Sequence, residues 1–192
     1  MPTDKQGVRT WDLLIRLFHW TLVAAFFTAY LTEDDWMSLH VLAGYTVLGL
    51  VLFRFVWGVI GTRHARFTDF ICSPASTLAY LKDIIAFRAR RYLGHNPAGG
   101  AMVIALLFSL TATAISGLAL YGYEEFSGPL AGLMGNTPDW LGDSLEDVHE
   151  FFANFTLMLV LLHVAGVVIA SLQHGENLLR SMFTGIKQKE LS

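Results

Sequence analysis

The chain has 192 residues and carries 13 basic and 16 acidic side chains against 54% hydrophobic residues. An ordinary soluble domain has about 25% charged residues, so the 15% found here argues against a water-soluble globule. We therefore expect an integral membrane protein whose surroundings include membrane lipid, and we expect no nucleic-acid partner.

Four apolar windows follow one another along the chain, at 13–31, 39–60, 101–120 and 151–172. Together they hold 83 residues and only two charges, Arg16 and Arg54. A helix that rises about 1.5 Å per residue needs about 20 residues to cross about 30 Å of hydrocarbon. The windows predict an all-α, four-helix membrane bundle in one domain over 1–192, with its last span over about 148–172.

The loop charges divide between two faces. Residues 1–12, 61–100 and 173–192 carry 11 Lys or Arg and six acids, whereas residues 32–38 and 121–150 carry ten acids and no base. Basic loops stay in the cytoplasm during membrane insertion. Both termini are therefore predicted to be cytoplasmic, and in a Gram-negative bacterium the protein would lie in the inner membrane with its acidic face in the periplasm.

Two connecting segments have a pattern of their own. Ser73 and Pro74 open a cytoplasmic run in which apolar residues recur at helical spacing beside Lys and Arg, which predicts an amphipathic helix lying in the interface. The segment over 121–147 mixes large apolar residues with acids and turn residues. A short helix resting on the outer surface is expected there.

Histidines are the informative polar residues, because ionisable groups in a membrane are costly and usually have partners. His19, His40, His149 and His163 lie within or at the ends of the first, second and fourth spans. Taken singly, each could be an ordinary interfacial residue. His149 and His163 are 14 residues apart, so they share one helix face at depths about 21 Å apart.

Depth restricts how these histidines can pair. His19 lies about 9 Å inside the cytoplasmic start of its span, and His163 about 14 Å from the cytoplasmic end of the fourth. His40 and His149 both lie at the outer starts of their helices. Only the pairs His19 with His163 and His40 with His149 are compatible with these depths.

Two stacked histidine pairs in a helical bundle are what two bis-histidine haems b require. A metal-ion transporter is the alternative, but it would add carboxylates at midplane depth, and no Asp or Glu occurs in the four windows. Cys72 is the one cysteine of the chain, so covalently attached c-type haem is excluded. Small residues could also let a macrocycle approach the backbone, although helix packing explains them equally well; they are Gly44, Gly49, Gly117 and Gly166.

Arginines at helix depth need partners as well. Arg54 lies 14 residues after His40, where the inner haem is expected, and Arg16 lies one turn before His19. Haem propionates would supply the opposite charge. The alternative is that both side chains extend to the lipid headgroups.

Several motifs recur around these histidines: Trp11-Asp12-Leu13, Phe18-His19-Trp20, His40-Val41-Leu42-Ala43-Gly44-Tyr45, and His149-Glu150 with His163. Together they resemble the bacterial cytochrome b561 family, which includes the membrane cytochrome b subunits of nickel–iron hydrogenases and is similar to the gamma subunits of formate dehydrogenases. The resemblance covers about 8–185. It implies a di-haem b protein of the respiratory chain, with the same histidine pairing, that exchanges electrons between a periplasmic partner and the quinone pool.

The segment 94–100 extends the resemblance. In hydrogenase-type relatives a similar segment lies near the quinone site, which makes His95 and Asn96 candidate quinone contacts. The alternative is a turn that begins the third span, for which Asn-Pro and Gly-Gly are suitable. Leu14-Ile15 departs from the pattern of many hydrogenase-type relatives, so the subfamily stays open.

Three functions remain open from the sequence. The first is an electron-transfer subunit that serves a periplasmic c-type cytochrome, dehydrogenase or hydrogenase subunit. The second is a stand-alone quinone-linked oxidoreductase, for example from superoxide to quinone. The third is a non-redox transporter or anchor. The acidic outer face could dock a basic partner. The positive-inside rule alone also explains why this face has no bases. A homodimer stays open as well.

Overall fold

The computed structural model describes residues 7–33, 35–135 and 137–189. Two short strands lie at the ends of this part, β1 (Gly7–Arg9) and β2 (Ile186–Gln188). The helices between them are α1 (Leu13–Leu31), α2 (Met37–Ile60), α3 (Phe67–Phe70), α4 (Pro74–Ile85), α5 (Pro97–Glu124), α6 (Ala131–Met134), α7 (Asp139–His174) and α8 (Leu178–Thr184), with one 3-10 turn at Arg63–Ala65.

Among the described residues, four helices are long and apolar enough to cross a membrane, namely α1, α2, α5 and α7. The expected class of helical membrane protein is thereby confirmed. Orientation and the single-domain expectation stay predictions.

The helix ends extend beyond the apolar windows. α7 begins at Asp139 rather than near residue 148, so acids that were expected in a surface loop belong to its first turns. A helix continues past the hydrocarbon wherever its backbone hydrogen bonds can continue, and Asp139 in the first turn interacts favourably with the helix dipole. Hydropathy marks only the apolar part of such a helix.

The two connecting segments contain helices as expected. α4 begins at Pro74, and the Ser73 side chain caps it by accepting a hydrogen bond from the Ser76 N–H. Proline is favoured at this first position because its missing N–H would have no helical partner. α6 is a short helix in the acidic segment. The membrane side on which each helix lies stays a prediction.

The chain divides into two compact units. The terminal unit comprises Met1–Trp20, Phe53–Ile104 and Leu161–Ser192, and the central unit comprises Thr21–Leu52 and Ala105–Val160. In the terminal unit Trp11, Ile15 and Ala65 form a buried cluster against Trp57 and Met182. The core of the central unit consists of Ala25, Phe26, Val47, Val51 and Leu110.

The ends of the described chain are joined within the terminal unit. β1 and β2 pair in antiparallel fashion, with Val8 opposite Lys187. The Arg91 guanidinium donates to both carboxylate oxygens of Glu176, at 2.9 and 3.3 Å, and to the Gln188 carbonyl. Glu176 is 8% exposed, so this is a buried ion pair, and the loss of one partner would leave an uncompensated charge.

Candidate functional site

His40 and His149 form a facing pair in the central unit. Their ring centroids are 6.1 Å apart and their planes are inclined at 78°. Nδ1 of His40 lies 2.9 Å from the Ala29 carbonyl oxygen, and Nδ1 of His149 lies 3.0 Å from that of Thr113. A histidine that donates Nδ1–H to a carbonyl keeps Nε2 free as a ligand, and such bonds commonly orient metal-binding imidazoles.

His19 and His163 form a second facing pair, in the terminal unit. Their ring centroids are 6.4 Å apart, with an interplanar angle of 54°. The rings of His19 and Trp20 are nearly perpendicular, with centroids 4.9 Å apart and an interplanar angle of 87°. Nδ1 of His19 is buried and has no hydrogen-bond partner within the described residues.

Both separations fit two imidazoles on opposite sides of one metal. An imidazole nitrogen lies about 2 Å from a bound metal such as zinc, and we take a similar bond to iron. The bonding nitrogen lies about 1 Å from its ring centroid, so the two centroids of such a pair should be about 6 Å apart. The four histidines expected from the sequence thus lie as two pairs at this spacing.

The described part of the chain contains no group of three or more His, Cys, Asp or Glu side chains that could hold a metal ion. A bare ion would need such a group. Haem iron takes its equatorial ligands from the porphyrin and only its axial ligands from the protein. Pairs of histidines without further ligands therefore suit haem better than a free ion.

A large cavity in the central unit is bordered by His40 and His149. It contains about 1000 Å³ of empty space, part of it open to solvent. A β-carbon at Gly44 would meet no protein atom within 4 Å, whereas one at Gly117 would lie 2.6 Å from Cε1 of His149. Gly117 lets the His149 ring approach α5, and Gly44 leaves open space beside its backbone.

Two arginines in the terminal unit have buried nitrogens without partners among the described residues, Nη1 of Arg54 and Nε of Arg16. Arg54 is 3% exposed, so its guanidinium does not reach the surface. It lies over the rings of Phe67 and Phe70, at 4.9 and 5.8 Å from their centroids. Cation–π contacts compensate only part of the cost of burying a charge. An anionic group such as a propionate would fit here.

The loop before α5 holds His95 and Asn96. Oδ1 of Asn96 accepts a hydrogen bond from the Gly99 N–H at 2.7 Å, so the expected turn at the start of the third span is present. The His95 ring lies between Trp11 and Phe70, at centroid distances of 4.8 and 4.7 Å, and its buried Nδ1 has no partner in the described chain.

Burial and the positive charges of Arg54 and Lys187 lower the pKa of His95 to about 3. The imidazole is therefore neutral at pH 7, with one N–H donor and one acceptor nitrogen. It can hydrogen-bond a ligand without carrying a charge.

Asp12 appeared in the sequence only as part of a motif, but it joins three segments of the terminal unit. Its carboxylate accepts hydrogen bonds from the Ile15 N–H at 2.9 Å, Trp57 Nε1 at 3.2 Å and the Thr62 hydroxyl at 2.5 Å. Burial alone would raise the pKa of Asp12, but the donors from Thr62, Ile15 and Trp57 outweigh burial and lower it. Asp12 thus caps α1 and fixes it to the end of α2.

The fold and the two histidine pairs define a class of protein, a helical membrane protein with paired histidines suited to haem iron. The family model of prokaryotic cytochrome b561 matches residues 10–185, and the chain belongs to this family. Comparison with curated proteins and with solved structures found no match.

Membership of the cytochrome b561 family makes the chain a b-type haem protein that transfers electrons in a bacterial membrane. The resemblance noted in the sequence is thereby confirmed. The non-redox transporter or anchor is at odds with this membership and drops out.

Proposed function

We propose that the chain holds two haems b and passes electrons between a periplasmic redox partner and the quinone pool. His19 and His163 would be the axial ligands of one haem, and His40 and His149 those of the other. The observation that carries the proposal is the spacing of the two histidine pairs, with centroids 6.4 and 6.1 Å apart.

Each bound haem would supply one-electron chemistry. The residues of the chain determine how that iron is held. The Ala29 and Thr113 carbonyls fix His40 and His149 through their Nδ1 atoms. Such bonds set the ring orientation and raise ligand basicity, both of which tune a redox potential.

Arg54 and Arg16 are the proposed propionate contacts in the terminal unit. The support is their two buried nitrogens without described partners, which an anionic group could satisfy. A hydrogen bond between a guanidinium and a carboxylate is charge-assisted and is among the stronger contacts in a protein.

His95 and Asn96 are the proposed quinone contacts. A quinone carbonyl needs a hydrogen-bond donor, and the described residues provide no partner for Nδ1 of His95. Asn96 uses its Oδ1 to cap α5, which leaves its NH₂ group as a second donor. The turn at the start of α5 and a quinone contact are therefore compatible roles for this loop.

The expected partner is a periplasmic c-type cytochrome or a dehydrogenase or hydrogenase subunit, with the protein in the bacterial inner membrane and both termini cytoplasmic. The support is the loop charge: segments 32–38 and 121–150 carry ten acids and no base. An acidic surface speeds the encounter with a basic partner.

The electron route can be tested with the purified holoprotein. The haems are reduced chemically and mixed with a short-chain quinone, and reoxidation is followed in the visible haem bands. We expect rapid reoxidation in the wild type and slower reoxidation in Asn96→Ala at unchanged haem content. A wild-type protein that quinone does not reoxidise would contradict the quinone role.

The partner question needs a second measurement on the same preparation. Superoxide is offered as the only electron donor, without any partner protein. Rapid haem reduction would favour the stand-alone oxidoreductase, whereas reduction only by an added periplasmic redox protein would support the electron-transfer subunit.

A further inference from the structure

His64 and Asp69 form a hydrogen-bonded pair in the terminal unit that the proposed function does not use. Nδ1 of His64 lies 2.8 Å from Oδ2 of Asp69, and Nε of Arg63 lies 3.5 Å from Oδ1 of the same carboxylate. The two side chains of the pair are 18% and 23% exposed. The pair is thus partly buried and still reaches solvent.

The pair packs directly against the backbone of the candidate quinone loop. A β-carbon at Gly94 would lie 2.9 Å from Nδ1 of His64 and 3.3 Å from Oδ2 of Asp69. Any side chain at this position would push into the hydrogen bond. Glycine therefore permits the pair to touch the residue that precedes His95.

The short helix α3 connects the pair to His95 a second time. Asp69 lies on α3, and the neighbouring Phe70 packs its ring against His95 at a centroid distance of 4.7 Å. The helix α3 therefore contacts His64 through Asp69 and the proposed quinone donor His95 through Phe70.

Quinone chemistry needs protons at this place. Reduction of one quinone to quinol takes two electrons, which would arrive one at a time through the haem, and two protons, one on each carbonyl oxygen; oxidation of quinol releases the same number. His95 is neutral and buried and Asn96 does not ionise, so neither stores a proton. Histidine changes charge near neutral pH and is the usual group for such transfer.

We propose that His64, oriented by Asp69, carries protons between water and a quinone bound at His95 and Asn96. Nδ1–H of His64 donates to Asp69, so Nε2 is the atom that takes up and releases the proton. When quinone is reduced, His64 gives a proton towards a carbonyl oxygen of the quinone and is reprotonated from water; when quinol is oxidised, the proton moves the other way. This inference rests on the quinone site proposed above.

Three charged or titratable groups lie around His64. Asp69 approaches from α3, Arg63 from the turn that carries His64, and His95 follows Gly94 on the loop.

The test compares His64→Ala and Asp69→Asn with the wild-type holoprotein in turnover with a short-chain quinone. General acid–base catalysis contributes about 10²-fold or more, but water can replace part of it, so we expect kcat to fall by about tenfold. KM and haem content should not change. The matched control is Asp83→Asn, which breaks another ion pair of the terminal unit, that of Asp83 with Arg88 at 2.8 Å.

Two readouts separate proton transfer from a merely structural role. Imidazole added to the buffer should restore most of the turnover of His64→Ala. This variant should also lose the decline of kcat with rising pH that we expect of the wild type, because a histidine donates a proton only in its protonated form. Unchanged kcat and pH profile in both variants would overturn the proposal. So would a loss of activity with raised KM and no imidazole rescue, because it would show that the pair only shapes the loop.

Failure of the proposed proton transfer and failure of the proposed quinone site give different results. If the wild type turns over quinone and the variants have the same kcat and pH profile, only the proton transfer by His64 is wrong. If the wild type contains haem but does not turn over quinone, the proposed quinone site is wrong. The proposed proton transfer by His64 is then wrong as well, because it depends on that site.

Discussion

The His149 ring lies so close to α5 that a β-carbon at Gly117 would be 2.6 Å from its Cε1 and 2.9 Å from its Nδ1. The same Nδ1 donates to the Thr113 carbonyl one turn earlier on α5. Close approach and hydrogen bond together set the direction in which the second nitrogen of the ring points.

Gly117→Ala should therefore displace the His149 ring and weaken only the haem of the central unit. We expect the purified variant to retain about half of the wild-type haem, measured as the pyridine haemochrome. Gly132→Ala is the control, because a β-carbon there meets nothing within 4 Å. Full haem content in Gly117→Ala would count against His149 as a ligand.

Arg54→Gln removes a buried positive charge from the terminal unit. A nearby cation favours the reduced, less positive state of a haem. Removal of the Arg54 charge should therefore lower the midpoint potential of the haem proposed for the terminal unit. A change of about 1.4 kcal/mol corresponds to about 60 mV for one electron, and we expect a shift of this order in a redox titration. The exposed Arg88→Gln should leave both potentials unchanged, and an equal shift in the two variants would refute the assignment of Arg54.

Asp12→Ala should destabilise the protein, because three donors lose their acceptor at once. Loss of a helix cap costs about 1 kcal/mol, and unsatisfied partners add about 1–3 kcal/mol. We expect a clear decrease in the melting temperature in detergent, and Asp12→Asn should recover part of it by retaining an acceptor oxygen. A melting temperature equal to that of the wild type would show that these contacts contribute little.

His95 should make stability depend on pH. Its pKa is about 3 in the folded protein against 6.5 for the free side chain. Between these values the unfolded chain binds a proton that the folded chain does not, so stability rises with pH and is lost on acidification. The melting temperature should fall between about pH 6.5 and about pH 4, and less steeply in His95→Gln. Equal slopes for both proteins would contradict a buried neutral imidazole.

The transmembrane helices and the pairing of the histidines could be predicted because each rests on a one-dimensional quantity. Apolar length marks a span, and the count of residues from a helix end gives depth, which was sufficient to match His19 with His163. The start of α7 at Asp139 could not be read in this way, since polar residues outside the hydrocarbon carry no hydropathy signal.

Contacts between segments that are distant in the chain could not be predicted from the sequence. β1 and β2 have three residues each, too few for a periodic pattern, and they lie at opposite ends of the described chain. Asp12 meets Trp57 and Thr62 only through the fold. The role of Gly94 likewise becomes visible only when His64 and Asp69 are packed against it.

The haem content of single histidine variants tests the central claim most directly. The pyridine haemochrome of the wild type should give two haems b per chain. His163→Ala and His149→Ala should each give one, and His174→Ala, a variant on the same helix outside both pairs, should still give two. One haem or fewer in the wild type, or loss of both haems in each single variant of a protein that still folds, would contradict two separate bis-histidine sites.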